Sequence, residues 1–271
     1  INKKMKLRFN YYKSIKRPGF YELVPYQLDG EDYTEKGNPT LKRARIDNID
    51  LRWEWFPSQN EQVLLGVFYK YLKDPIETSF DVDQRQTNAS YYMPQNLGNA
   101  KNYGVEFDIV KYIRHFGLKA NYTYTHSAIT TPKRHYTATN VIETVDQTRP
   151  LVNQAPHTAN LSLLYKDTNH GWNGQLATSY TGTRLVLVSP YLDSDEWERH
   201  FFSLDLSGEK RFKNGLAIFI KGNNLLNTKR ERYLKTTNEY NANIPGQPSD
   251  RTIVGTYRYG RTFLVGVRYT M

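Results

Sequence analysis

The stretch that closes the chain, Gly260–Met271 (GRTFLVGVRYTM), alternates residue by residue. Phe263, Val265, Val267, Tyr269 and Met271 share one parity; Thr262, Leu264, Gly266, Arg268 and Thr270 share the other. A period of two is that of a β-strand, whose successive side chains point to opposite faces. The two faces differ in polarity, so they meet different surroundings. In a sandwich the apolar face would enter a protein core. In a membrane-spanning barrel it would meet lipid, and the polar face would line a lumen.

The pattern recurs along the chain. Met5, Leu7, Phe9 and Tyr11 alternate with polar neighbours, as do Ile49, Leu51, Trp53 and Trp55, the odd residues from Val63 to Tyr71, and Tyr103, Val105, Phe107 and Ile109. Phe116 to Tyr124, Leu161 to Tyr165, Trp172 to Tyr180, Phe202 to Leu206 and Leu216 to Ile220 follow the same rule. This predicts roughly ten strands of about ten to fourteen residues, the length that a tilted strand needs to cross a bilayer and about twice the usual globular strand. No run of about 18 apolar residues exists, so no segment reads as a membrane-crossing helix. A closed barrel is the other way to pair every backbone amide in lipid. A hydrophobic content of only 38% suits it, because half of each barrel strand is polar.

The connections sharpen the reading. Short ones (Pro57–Asn60, Arg114–His115, Asp167–Gly171, Lys213–Gly215) alternate with long ones near 15–43, 75–98, 129–155, 185–199 and 227–253. Tight turns at one end and long loops at the other are expected of an outer-membrane barrel, with the long loops outside. On the apolar faces, Trp and Tyr gather towards strand ends (Trp53, Trp55, Tyr69, Tyr71, Tyr122, Tyr124, Tyr165, Tyr269), as in interfacial girdles. The opposite faces carry Asp50, Glu54, Glu106, Asp108, Asp205 and Glu209 with Lys6, Arg8, Arg52, Lys119, Arg258 and Arg268. Such charges need water or partners, which a wide or plugged lumen supplies.

Charge and composition exclude other classes. The net charge is +10, but the basic residues are scattered or sit in presumed loops such as Thr131–His135 and Lys229–Arg232, so no nucleic-acid partner is expected. There are no cysteines, hence no disulfide scaffold or thiolate metal site. The chain opens on INKKMKLRFNYY, already alternating and without the apolar core of a signal peptide, so either a mature protein begins here or the sequence is a piece of a longer one; an opening inside a strand favours the piece.

Several segments carry a family resemblance. Ser14–Leu23 (SIKRPGFYEL), Gly37–Lys42 (GNPTLK), Asn99–Glu106 (NAKNYGVE), Gly222–Asn227 (GNNLLN) and the terminal strand resemble, in order, segments of TonB-dependent outer-membrane receptors, with a flavour of those from Bacteroidetes. The resemblance implies an all-β, antiparallel transmembrane barrel of about 22 strands with a plugged lumen. Residues 1–271 are then about ten C-terminal strands of that barrel, and nothing here resembles the plug domain or the TonB box. It further implies energised uptake of a scarce ligand such as a ferric siderophore, glycan or peptide, in the outer membrane of a Gram-negative bacterium. Implied partners are outer-membrane lipid and lipopolysaccharide, TonB through a missing N-terminal region, the barrel assembly machinery and a surface lipoprotein; no cofactor is implied. The family usually ends on an aromatic residue, whereas this chain ends Tyr269-Thr270-Met271.

Candidate ligand contacts lie in the long loops: Arg134, His135, Tyr136, Tyr191, Trp197, Arg199, Arg230, Arg232 and Tyr233. Aromatics beside cations suit an anionic chelate or a glycan; the same residues would also suit solvent or lipopolysaccharide phosphates. Phe263, Val265, Val267, Tyr269 and Met271 are the expected lipid-facing residues of the terminal strand. No catalytic or metal-binding residues are expected. His126-Ser127 lacks a nucleophile elbow and a third partner, the histidines are isolated, and Asp193 and Asp195 read as a solvated acidic turn. A passive porin or an adhesin barrel of ten strands is the alternative, and an outer-membrane hydrolase a more distant one.

Overall fold

A computed structural model describes residues 4–29, 34–83, 89–137, 141–235, 248 and 250–270. Ten strands form one meandering antiparallel wall: β1 (Met5–Lys16), β4 (Ala44–Trp55), β5 (Gln62–Lys73), β8 (Ala100–Ile113), β9 (Phe116–Tyr136), β11 (His157–Asp167), β12 (Trp172–Thr181), β15 (Phe201–Arg211), β16 (Leu216–Asn223) and β19 (Thr262–Tyr269), paired in that order. Among the described residues the wall stays open, with β1 and β19 each paired on one side only, so ten strands do not close on themselves. An eleventh strand, β10 (Ile142–Arg149), extends the sheet along the far end of β9.

The remaining strands lie within the long connections. Helix α1 (Phe20–Leu23), β2 (Gln27–Asp29) and β3 (Thr34–Lys36) follow β1, and β6 (Ile76–Asp83) and β7 (Ala89–Asn96) follow β5. β13 (Arg184–Leu187) and β14 (Glu196–Glu198) follow β12, and β17 (Lys229–Leu234) and β18 (Thr252–Arg258) follow β16. They build two small sheets, β2-β3-β7-β6 and β13-β14-β17-β18, at the end of the wall away from the short turns. The long connections are therefore folded rather than looped. The expected loop from 129 is strand as far as Tyr136, and Lys229–Arg232 is strand as well. Arg258 is corrected too: it pairs with Lys229 in the small sheet and does not belong to the wall.

Register proves the two faces continuous. Leu7, Trp53, Leu65, Phe107, Tyr122, Ala159, Tyr180 and Phe202 form one unbroken cross-strand row. Val265 and Val267 extend the same face through Ile220 and Ile218. Both valines are 67% exposed, and among the described residues no second sheet covers them. On the opposite face Arg8 binds Glu54 at 3.0 Å, Arg52 approaches Glu106 at 3.5 Å, and Gln62 donates to Asp108 at 2.7 Å. Charges there find partners across strands, as a wet interior requires. Met271 lies outside the described residues.

Large rings on the polar face are accommodated by glycines on the neighbouring strand. Phe68 stands opposite Gly104, Tyr112 opposite Gly117 and Phe219 opposite Gly266. A Cβ at these glycines would come within 2.7 Å, 2.5 Å and 2.3 Å of the respective ring. Each ring fills the space that a side chain at the glycine would take, which fixes register where polarity alone would be a weak guide. The family-like segments also have local work. The Gly37 backbone passes so close to the Val24 carbonyl that a Cβ would sit 1.8 Å from its oxygen. Asn224 and Asn227 take left-handed conformations (φ 52° and 48°) that asparagine tolerates, closing the turn after β16.

Candidate functional site

The long connections do not simply rise from the rim. Beyond the membrane-length part of β9, alternate residues Thr125, Ser127, Ile129, Thr131 and Lys133 are buried on the parity of the polar face. Leu151 N–H donates to Ser127 Oγ and Thr125 N–H to the Pro156 carbonyl, while the segment between β12 and β15 lies against Thr131 and Lys133. Its Val188 pairs with Ser79 of β6, and its Tyr191 pairs with Arg134 of β9, both in parallel. Phe80 N–H donates to the Val188 carbonyl at 2.8 Å and Arg134 N–H to the Pro190 carbonyl at 2.7 Å. The connections thus make a cap over the polar side of the wall.

Two buried ion pairs pin this cap. Lys133 Nζ binds Asp195 Oδ1 at 2.6 Å and also the Ser189 carbonyl, while Ser189 N–H donates to the same carboxylate oxygen at 2.7 Å. Arg149 binds Glu77 at 2.9 Å, and the other Glu77 oxygen accepts Val152 N–H at 2.8 Å. Asp195 is therefore no solvated turn residue; only Asp193 is exposed, accepting from Gln147 at 3.1 Å. Burial pushes the Lys133 ammonium below its ordinary pKa, opposed by its bond to Asp195. Sequence reading missed these pairs because each joins residues more than 60 positions apart, and alternation within one strand does not say which distant connection lies against it.

The nine candidate residues fall into two groups. Tyr136 and Tyr191 stack with centroids 5.7 Å apart and planes 20° apart, and hydrogen bonding to Tyr191 holds the Tyr136 phenol above its ordinary pKa. Arg134 adjoins this pair, and His135 points the other way and is exposed. The second group occupies the β13-β14-β17-β18 sheet. Trp197 stands opposite Tyr233, and Lys235 Nζ lies 3.3 Å from the Trp197 ring centroid. The Arg230 guanidinium lies 3.8 Å from the Phe201 ring centroid and 3.6 Å from Glu198, which also holds Arg184 at 2.7 Å. Glu231, buried, holds Lys229 at 3.1 Å and Arg251 at 3.0 Å. Much of the positive charge that the sequence offered to a ligand is thus spent inside the cap. Arg199 and Arg232 form no ion pair among the described residues and are exposed. Burial raises the Glu196 carboxyl, with the nearby Arg232 charge opposing it.

A cleft of about 360 Å³ opens where β6, β9 and the 188–190 segment meet, lined by Ser79, Phe80, Thr131, Lys133 and Pro190 among others. Among the described residues no three His, Asp or Glu side chains gather in a metal-binding cluster.

The family model for the TonB dependent receptor-like β-barrel matches residues 1–225. The chain belongs to the TonB-dependent receptor β-barrel family. That family consists of transporters, not enzymes. Solved structures share the fold at low sequence identity. The ferric enterobactin receptor PfeA of Pseudomonas aeruginosa, as its R480A mutant in complex with enterobactin, matches with a TM-score of 0.60 and 18% identity over 98% of this chain and 38% of that one. The copper transporter OprC gives 0.61 and 14% over 98% and 37%. The siderophore receptor PirA of Acinetobacter baumannii gives 0.58 and 15% over 99% and 39%. The chain therefore spans less than two fifths of these structures' length. No curated protein compared with it matches.

Proposed function

We propose that this chain is the C-terminal part of the barrel wall and the outer cap of a TonB-dependent receptor that takes up a scarce ligand across the outer membrane of a Gram-negative bacterium. The observation that carries the reading is the pairing of one continuous apolar face with one continuous charged face across ten strands, with all elaborated connections at one end. Phe263, Val265, Val267 and Tyr269 then meet lipid, and the charged face looks onto the plug. The chain supplies wall and cap; the plug and the TonB-coupling segment belong to the rest of the receptor. Barrel assembly machinery, lipopolysaccharide and a surface lipoprotein are its proposed partners.

For cargo, the reading that the exposed chemistry favours is an anionic chelate. Arg199 and Arg232 offer charge not committed to an ion pair, and Trp197, Tyr233 and the Tyr136–Tyr191 stack offer flat surface beside it. PfeA, PirA and OprC, titled as receptors or transporters for a ferric siderophore, a siderophore and copper, agree with metal acquisition in kind. The test is uptake of radiolabelled ferric siderophores by a deletion strain carrying the full-length receptor. Accumulation that needs TonB, and that falls when Arg199 and Arg232 become alanine, supports the proposal. Uptake that persists without TonB, or steady single-channel conductance from the purified receptor, sinks it in favour of a porin.

A further inference from the structure

The capped end of the apolar face carries a cluster of positive charge that the wall leaves uncompensated. By register, Arg45 of β4 stands directly opposite Lys73 of β5. Lys101 of β8 pairs with Tyr71, which puts it on the diagonal from Lys73. All three share the parity of Ile49, Tyr69 and Tyr103, and all three are exposed. Lys42 and Arg43 lead into the same point. Like charges directly opposite each other destabilise a sheet. Asp47, two residues along β4, is engaged on its other side by Tyr11 at 2.9 Å and Lys13 at 3.8 Å. Among the described residues no carboxylate stands within ion-pair distance of Arg45, Lys73 or Lys101. At the short-turn end, outward Lys111 is matched by Glu61 at 2.9 Å, and outward Lys210 stands alone among the described residues, bound to the His170 carbonyl and lying over the Trp172 ring.

Below the cluster lie Tyr69, Tyr71 and Tyr103, then Val67, Leu65, Val105 and Phe107. The surface therefore presents cations, then an aromatic band, then aliphatic side chains, which is the polarity profile of one amphiphile carrying negative charge in its headgroup. The three cations span two strand spacings, about 10 Å, wider than a single phosphodiester. We propose that Arg45, Lys73 and Lys101 hold the phosphates of a lipopolysaccharide molecule whose acyl chains run down Val67 and Val105. The site rests on the reading above, in which the long connections face outside.

The experiment uses the full-length receptor in detergent, with lipid binding read by native mass spectrometry. The probes are bisphosphorylated lipid A, its dephosphorylated form and phosphatidylglycerol. Wild-type protein is expected to prefer the first to both others. The R45Q/K73Q/K101Q variant should lose about 100-fold in lipid A affinity, from roughly five-fold per basic residue, whereas K73R keeps it. Equal binding of lipid A by the triple variant and the wild type, or of phosphatidylglycerol and lipid A by the wild type, overturns the site. Should the triple variant not fold, a salt titration of the wild type decides: affinity insensitive to ionic strength is the negative result. Uptake is not measured, so a wrong cargo leaves this outcome untouched. The shared orientation is read separately by labelling R43C on intact cells with a membrane-impermeant thiol reagent; protection from the reagent overturns it.

Discussion

Leu161→Arg tests the assignment of the faces near the middle of the apolar belt. Leu161 sits on β11 between Ala120 and Thr178, with Leu163, Leu118 and Leu176 on the next rung. Tyr165 lies four residues away on one side and His157 four on the other. At about 3.3 Å per residue and a tilt near 40°, that is roughly 10 Å of depth from the aromatic band, close to the middle of an apolar belt about 25 Å tall. An arginine there should cost about 2–4 kcal/mol, or roughly 30- to 1,000-fold in the folding equilibrium. The neighbouring Asn160→Arg, on the charged face, forfeits one 2.8 Å hydrogen bond to Asn121 and should cost about 1 kcal/mol. The assay is reversible guanidinium unfolding of the receptor in lipid vesicles, followed by tryptophan fluorescence. Leu161 is 41% exposed. Were that exposure to water, the substitution would change stability by no more than about 0.5 kcal/mol. A cost for Leu161→Arg no larger than that of Asn160→Arg would refute the lipid-facing argument.

Three further outcomes follow from the packing. Lys133→Met strands the buried Asp195 carboxylate and should destabilise the cap by about 3–5 kcal/mol, most of it regained in K133M/D195L, as measured by protease resistance of the 182–200 connection. Gly104→Val forces a side chain against Phe68 and the Tyr124 carbonyl, and should cost about 1–3 kcal/mol in the same unfolding assay, partly relieved by adding Phe68→Ala. Glu196→Gln should flatten a pH dependence of cap stability. The folded carboxyl is raised, so below the ordinary carboxylate pKa both states are protonated and there is no penalty; as pH rises through that value to the raised one, the wild type loses stability and the variant does not. Hydrogen exchange of β14 across that range reads the difference.

The wall was legible because one physical rule, apolar out and polar in, governs most residues in it, the rings of Phe68, Tyr112 and Phe219 and the end cations Arg45, Lys73 and Lys101 excepted. Alternation marked all ten strands, and the four short turns fall where Pro57, Arg114, Asp167 and Lys213 announced them. The cap was not legible. β13 has four residues and β14 three, too short for a period of two to register. Arg134, Tyr136, Trp197, Arg230, Arg232 and Tyr233 looked like loop residues because they follow turn-forming or charged stretches, yet hairpin pairing within their own connections, and between β14 and β17 across two of them, holds them as strand. Asp195 looked solvated for the same reason: its partner, Lys133, comes 62 residues earlier. Tyr136 and Tyr191 were named separately, and only the parallel bridge at Arg134 brings them into contact.

The three rings laid over Gly104, Gly117 and Gly266 give the wall a property that alternation alone cannot. If two strands slipped by one place, each ring would be driven into a neighbour bearing a side chain, so sliding is blocked at three separate seams. A load along any strand of these three seams then meets a steric stop, not a ladder free to re-pair one place further on.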